Sequence, residues 1–415
     1  MNLLLPFLLL IQERSPVPAL LEKIDGHDPA ACFRAIADLA DLAPAHRAEI
    51  EKGAGRLPDF YRDALLAELK LPPPSLKRVT LEGKRTFRKH LDELARRTGM
   101  KLDLSFWKEN KAEDRLDRDD SLLACRDSMA MEALAAICQA HSAMIDKDAL
   151  SDNLEVTNFG GPPVWALGQR SLVILHKDAW QRKWVDLSSR PEWQAGLHFN
   201  VVLAPGARIY GWKDVRIVEA LSEKGGDLRL DPTAPGSSIL DFKGGPHEPT
   251  DWVESGFCLN LRLPEGVQKV DRLKISAVAR VNTKYRFIDV KIQGAEGKSR
   301  ASSEELEIDV RQIDPREPMA ATFLVDLRAK GLSGKDLAAR PTFVEAACSG
   351  NKGRVSLRVR RVEAGSIEYE ARWEPVVGDS VEEGETMLLE KVSVHVADGL
   401  EERRVYAEFR DLPLR

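Results

Sequence analysis

The pattern of apolar positions changes along the chain, and its first part is helical. Between residues 16 and 70, apolar side chains such as Cys32, Ile36 and Leu39 recur at spacings of three and four. This spacing places them on one face of a helix, so the segment is predicted to form helices. Breaks between the helices are expected at residues 25–28, at Pro44 and at residues 53–58.

The next segment, residues 75–177, contains an internal duplication offset by 43 residues. Leu91 and Leu94 lie on one face of a predicted helix with a short strand on either side, and Leu134 and Ile137 occupy the same positions in a second unit. Two β-α-β units of this size are expected to pack their helices on one side of a small sheet. Two further short runs are candidates to add strands to it, residues 154–157 and 172–175.

From residue 196 onward the apolar pattern has a period of two, as in Leu197, Phe199 and Val201. Short half-buried strands separated by Gly, Pro and Asp turns are typical of antiparallel β-sandwiches. The predicted fold class is therefore α+β and multidomain, with an N-terminal helical segment, a duplicated β-α-β domain and a C-terminal β-sandwich region. The expected limits are 1–15 for a signal-like segment, 16–70 for the helices, 75–177 for the β-α-β domain, and 180–300 and 301–415 for two sandwiches.

Two stretches of sequence resemble known structural units. RVTLEGKRTFRKHLDELARRTGMKLDL, within residues 75–177, is similar to the short N-terminal domain of secretins and TonB-dependent receptors. That resemblance implies a packing fold that docks other proteins and has no active site. LLEKIDGHDPAACFRAIADLADLAP resembles a HEAT-type helical repeat, and the order of segments, ending in EFRDLPLR, resembles exported multidomain proteins of bacterial envelopes that have no assigned function.

Length and charge narrow the class of protein. A chain of 415 residues exceeds the size of one hydrophobic core, so several domains are expected. With 61 basic and 66 acidic residues the net charge is −5, and nothing global attracts the chain to nucleic acid or to anionic lipid.

The five cysteines are scattered and include no C-x-x-C pair, which argues against a disulfide framework or a zinc knuckle. Buried free thiols are the favoured interpretation, with one bridge left open. Cys138 occupies the core position that Ala95 has in the first repeat, so its thiol is expected to be buried.

The first fifteen residues contain an unbroken apolar run at residues 3–11, which is too short to cross a bilayer. Its length fits the apolar region of a signal peptide, although the basic start and the small-residue cleavage site are missing. Export to the periplasm or the medium is expected. The alternative is an amphipathic first helix packed on the domain behind it.

No group of residues predicts catalysis, a metal or a cofactor. The eight histidines include no local pair at ligand spacing, and no G-x-S-x-G elbow accompanies the serines. The glycine pairs precede Pro or Asp and are interpreted as turns. A non-enzymatic interaction or scaffold protein is therefore the favoured class.

Residues 77–97 form a dense basic segment, with eight Lys or Arg against three Asp or Glu. Arg88, Lys89, Arg96 and Arg97 lie off the apolar face of the predicted helix, where they are either solvated or the contacts of a docking surface. The partner expected for such a surface is a protein or a polyanionic envelope polymer. Nucleic acid is disfavoured by the expected export and by the lack of interleaved aromatic residues.

A tryptophan-rich stretch supplies the alternative function. Its members either seal a junction between domains or stack on sugars in a carbohydrate-binding or carbohydrate-cleaving protein. Asp186, Glu192 and Asp251 are the carboxylates available for such cleavage. The tryptophans are Trp165, Trp180, Trp184, Trp193 and Trp212.

Export is tested with a fusion of residues 1–30 to a reporter that is active only outside the cytoplasm. We expect activity, because the apolar run at residues 3–11 has the length of a signal-peptide core. A reporter that is silent from this start and from any upstream start would contradict export.

Overall fold

The computed structural model describes a chain made mainly of strands, with helices at its N-terminal end. No helix in this described part has the length and apolar character needed to cross a membrane. The signal-like segment at residues 1–15 lies almost wholly outside it. The described residues are 15–71, 78–118, 120–146, 154–157, 164–168, 171–175, 181–185, 192–203, 208–230, 256–282, 284–292, 298–314, 320–348, 351–375 and 388–413.

The helical N-terminal segment is confirmed and consists of α1 (Val17–Glu22), α2 (Pro29–Ala54) and α3 (Asp59–Glu68). The carboxylate of Asp28 caps α2 by accepting a hydrogen bond from Ala30 N at 2.9 Å.

The break expected at Pro44 is found as a kink two residues later. The backbone angles of His46 are non-helical, and α2 consists of two helical halves on either side of this kink. A proline removes one helical hydrogen bond and bends the helix locally, and a long buried face can keep the two halves together. Helix α2 buries such a face on both sides of the kink, from Phe33 to Ile50.

The duplicated pattern appears as strand, helix and strand, twice. The helices begin 43 residues apart, at Phe87 and Ala130, as the repeat predicts. The first unit is β1 (Val79–Thr86), α4 (Phe87–Thr98) and β2 (Leu102–Asp103). After α5 (Ser105–Glu109) and α6 (Arg115–Arg118), the second is β3 (Asp120–Ser128), α7 (Ala130–Ala140) and β4 (Met144–Asp146), followed by β5 (Leu154–Thr157).

The strands of the two units form two small sheets where one was expected. Strands β1 and β3 pair antiparallel with each other. Strand β5 pairs in parallel with β2 and antiparallel with β4. Helices α4 and α7 contact each other and share one core with strands of both sheets, so their apolar faces have sheet residues from both to pack against.

The charged segment between the two units, which contains α5 and α6, carries part of this core. Trp107 of α5 is buried and its indole Nε1 donates to the carbonyl of Val156 at 2.7 Å. Leu116 of α6 is buried as well. These two apolar residues attach an otherwise charged segment to the domain.

The strands from residue 164 to 282 form a five-stranded sheet and two of the three strands of a second sheet. In the first, β9 pairs with β11 on one side and with β7 and β8 on the other, and β6 pairs with β7. Residues 172–175 therefore join this sheet and not that of the β-α-β units. The strands are β6 (Val164–Leu167), β7 (Ser171–Leu175), β8 (Gln181–Val185), β9 (Glu192–Leu203), β10 (Arg208–Ser222), β11 (Gly256–Leu263) and β12 (Lys269–Asn282).

Strand β7 connects two cores because alternate side chains of a strand point to opposite faces. Leu172 and Ile174 pack with the β-α-β units, whereas Val173 and Leu175 pack between the two sheets of the following region. Strand β9 does the same at its end, where Val202 packs with the β-α-β units and Val201 and Leu203 pack between the sheets.

The strands between residues 285 and 397 form an eight-stranded antiparallel sheet that folds over one core, and its neighbours β17 and β18 pair only at Ala347–Cys348 and Asn351–Lys352. Its strand order is β13-β20-β17-β18-β19-β16-β15-β14. Its elements are β13 (Tyr285–Lys291), β14 (Lys298–Ser302), β15 (Leu306–Asp314), β16 (Ala321–Ala329), α8 (Gly334–Ala338), β17 (Thr342–Cys348), β18 (Asn351–Val362), β19 (Ile367–Pro375) and β20 (Leu389–Ala397).

The last strand, β21 (Glu401–Pro413), does not join the eight-stranded sheet. It pairs along β12, which also pairs with β10, so the chain returns to the three-stranded sheet that it left at residue 282. The expected limit near residue 300 does not coincide with this pairing, because β13 already belongs to the eight-stranded sheet. Local alternation predicts strands well, but it does not determine which strand each one pairs with.

The thiol of Cys138 lies in the core between α4 and α7 and has no exposed surface. Burial raises the pKa of Cys138, so the thiol stays protonated and acts as a small apolar group. We expect Cys138→Ser to lower the free energy of unfolding by about 1–3 kcal/mol, because it buries a hydroxyl without a partner. Urea unfolding measures the loss.

The control for this change is Cys138→Ala, which removes the sulfur and adds no polar atom. The serine variant is expected to be the less stable of the two. Equal stability of serine variant and parent, or full thiol labelling of Cys138 in the native protein, would contradict its burial.

Candidate docking surface

Helix α4 is held in a defined orientation by its two ends and by its apolar face. The hydroxyl of Thr86 accepts a hydrogen bond from Lys89 N at 3.4 Å, and Gly99, with φ of 74°, ends the helix in the left-handed conformation. Leu91 and Leu94 are buried in the shared core. The remaining faces of α4 therefore point outward, as the sequence pattern predicts.

The four predicted contact residues lie on those outer faces, but three of them are already ion-paired. Arg88 Nε lies 2.9 Å from a carboxylate oxygen of Asp117 in α6. Arg96 and Arg97 both pair with Glu93. Lys89 is exposed and forms no ion pair with another described residue.

Glu93 is the centre of the charge cluster on α4. Its carboxylate accepts two hydrogen bonds from Arg96, at 2.7 and 2.9 Å, and one from Arg97 at 2.5 Å. These bonds lower the pKa of Glu93 to about 2. Arg97 also donates to the carbonyl of Thr80 at 3.0 Å, which ties the helix to β1. The net charge of the helix surface is thus smaller than its arginine count indicates.

An open cavity of about 450 Å³ lies between α4 and the adjoining ends of β1 and β3. The sequence-based set of contacts omits Lys84 and Arg85, although both belong to the basic segment. Both residues lie at the end of the preceding strand β1, so the helical pattern does not mark them. The lining residues are Lys84, Arg85, Lys89, Asp92, Glu93, Arg96 and Asp120.

On the buried side of α4, the fold brings together one histidine from each repeat, His90 of α4 and His141 after α7. His90 Nδ1 lies 3.3 Å from His141 Nε2, and the ring of Phe87 stacks on His141 with centroids 4.7 Å apart. Burial lowers the pKa of His90, which favours a neutral imidazole. Across the ranges that the structure describes, no group of three or more His, Cys, Asp or Glu side chains is arranged to hold a metal ion.

Strand β18 carries a second run of cations, which the predicted docking contacts do not include. Within residues 352–361 the chain has five Lys or Arg and no acidic residue, a signal that a charge count along the sequence would have found. Arg360 lies 3.6 Å from Glu368, and Arg361 lies 3.0 Å from Glu363. These arginines are exposed but paired, like those of α4.

The tryptophans of the predicted cluster fall on different strands. Trp165 of β6 is half-buried beside the cores of both the helical segment and the β-α-β units, and its Nε1 donates to Gln139 at 3.3 Å. Trp212 of β10 packs edge-on against Phe257 with centroids 5.0 Å apart. Trp180 lies outside the described residues, as do the side chains of Trp184 and Trp193.

The carbohydrate-binding or carbohydrate-cleaving function stays a prediction, because it depends on side chains outside the described part of the chain. The β8–β9 register places the backbone of Trp184 directly opposite that of Trp193. Asp186 and Asp251 and the side chain of Glu192 are outside the described part. Polysaccharide binding that disappears in a Trp184→Ala, Trp193→Ala variant would support this alternative.

Taken together, the surface around α4 is ionic, mostly exposed and held by a rigid helix, which suits reversible association with a charged partner. Comparisons of this chain with protein-family models, with curated proteins and with solved structures find no match in any of the three.

The Glu93 cluster predicts a pH dependence of stability. Because its pKa is lowered to about 2 in the folded protein, Glu93 contributes stability above the pKa of about 4.3 expected in the unfolded chain, and this contribution is lost as pH falls toward 2. We expect the stability difference between wild type and Glu93→Gln to shrink from pH 5 to pH 2. Carboxyl NMR titration should place the midpoint of Glu93 near 2.

The matched control is Glu113→Gln, because Glu113 is exposed and forms no ion pair with a described residue. Its effect on stability is expected to be small at every pH. A Glu93 midpoint above 4 would show that the two arginines do not hold the carboxylate in solution.

Proposed function

We propose that this chain is a non-enzymatic interaction or scaffold protein of the bacterial cell envelope, with α4 as its docking surface. The observation that carries the proposal is the division of α4 into two faces. Leu91 and Leu94 are buried in the core, whereas Lys89 and Arg96 are exposed beside an open charged cavity. A helix fixed in this way presents charge without having to reorganise on binding.

Two expectations from the sequence support the same proposal. The resemblance of residues 75–177 to the short N-terminal domain of secretins and TonB-dependent receptors implies docking of proteins. The apolar run at residues 3–11 is expected to direct export, which would bring the surface into contact with envelope proteins and polymers.

The proposal predicts salt-sensitive capture of envelope components. We expect the variant Arg88→Gln, Lys89→Gln, Arg96→Gln, Arg97→Gln to capture them about ten-fold less well, because exposed charges set association rate and salt sensitivity. Glutamine is preferred to glutamate, since a new carboxylate beside Glu93 or Asp117 would add repulsion within the fold. Quantitative mass spectrometry of immobilised protein incubated with envelope extract provides the measurement.

The control variant is Lys101→Gln, Lys108→Gln, which removes two exposed cations of the same region away from α4. It should capture the same components as wild type. Equal capture by the fourfold variant and by wild type at low salt would show that α4 is an ordinary solvated surface.

A further inference from the structure

The cavity beside α4 is lined by cations that form no ion pair within the described part of the chain. Lys84 and Arg85 at the end of β1 and Lys89 in the first turn of α4 line it. Unlike Arg88, Arg96 and Arg97, these three form no ion pair with another described residue. They are the positive charges that remain available to a ligand.

The same cavity also contains available carboxylates. Asp92 of α4 and Asp120 at the start of β3 are exposed lining residues, and neither is ion-paired with a described residue. Glu93 and Arg96 line it as well, but they neutralise each other. Charges of both signs that have no ion-pair partner among the described residues therefore line one open space of about 450 Å³.

This arrangement discriminates between the partners expected for the surface. A polyanionic polymer would gain from the three cations but would be repelled by Asp92 and Asp120. A protein segment with both acidic and basic side chains can satisfy both sets, because complementary patterns of charge fix register and partner choice.

An apolar residue beside the cavity also favours a protein over a polyanionic polymer as the partner. Leu122 of β3 is 75% exposed and lies opposite Lys84 in the β1–β3 register. Its exposed side chain offers a protein partner apolar contact area that a highly charged polymer does not use.

We propose that this cavity binds a segment of a partner protein that carries both carboxylate and cationic side chains, and that it is not a site for a polyanionic polymer. The inference rests on the proposed function and specifies the partner. Lys84, Arg85 and Lys89 bind the acidic side chains of the segment, Asp92 and Asp120 bind its basic side chains, and Leu122 packs against an apolar neighbour.

Two variants, each of which neutralises charges of one sign, separate the contribution of the cavity's cations to binding from that of its carboxylates. One is Lys84→Gln, Lys89→Gln and the other is Asp92→Asn, Asp120→Asn, with Lys101→Gln, Lys108→Gln as the matched control. All six positions are exposed, so each protein is expected to fold, and thermal unfolding followed by circular dichroism verifies this.

The probes are three labelled chains of similar length: a peptide of alternating glutamate and lysine, a polyglutamate peptide and inorganic polyphosphate. Each protein is titrated into each probe at low salt, and binding is measured as the fluorescence anisotropy of the probe. We expect wild type to bind the mixed peptide about ten-fold more tightly than either polyanion. Both cavity variants should weaken binding of the mixed peptide at least five-fold, and the control variant should not.

Two results would overturn the proposal. The first is tighter binding of polyglutamate or polyphosphate than of the mixed peptide, with a further gain in the Asp92→Asn, Asp120→Asn variant, which would define a simple anion site. The second is no binding of any probe to wild type. Neither result depends on the α4 capture experiment, so the proposed docking function can fail or stand separately.

Discussion

The structure depends on one buried contact between its first helices and its last strand. Glu408 of β21 has no exposed side-chain surface, and its carboxylate accepts hydrogen bonds from Tyr61 at 2.5 Å and from Arg410 at 2.8 Å. Burial and this carboxylate together raise the pKa of Tyr61, so the phenol remains a donor. A buried carboxylate is tolerated only when such partners compensate for its lost hydration.

Contacts around this pair position the helical segment on the three-stranded sheet. Arg410 also donates to the carbonyl of Gly26 at 2.6 Å, in the turn between α1 and α2, where φ is 80°. Phe60 packs edge-on against Tyr406 with centroids 5.4 Å apart. Residues separated by most of the chain are thereby joined in one core.

The candidate surface is connected to this core through α7. Arg34 of α2 forms an ion pair with Glu132 of α7 at 2.7 Å, and Arg78, just before β1, pairs with Asp38 of α2. Helix α7 packs against α4, so the helical segment supports the elements from which the proposed docking residues project. The exposed charges of α4 can act as a fixed pattern because the helix beneath them is held in this way.

Local features were predictable from the sequence, and long-range ones were not. The 43-residue repeat places Leu134 and Ile137 in the core as expected, because helical periodicity is a local property. Nothing local indicates that β21 pairs with β12, or that Arg88 pairs with Asp117 of α6. The pairs of Glu93 with Arg96 and Arg97 are local, because they have i,i+3 and i,i+4 spacing on one helix. Burial of Glu408 is also contrary to the usual place of a glutamate, and it is explained by the distant Tyr61 together with Arg410, which both donate to its carboxylate.

The most direct test of this account is a double-mutant cycle on Tyr61→Phe and Glu408→Gln, followed by urea unfolding. If the buried hydrogen bond holds the helical segment to β21, the two changes should couple by about 0.5–3 kcal/mol, since contacting residues are not additive. Effects that add within about 0.3–0.5 kcal/mol would contradict it, because additivity of that kind is the behaviour of independent sites.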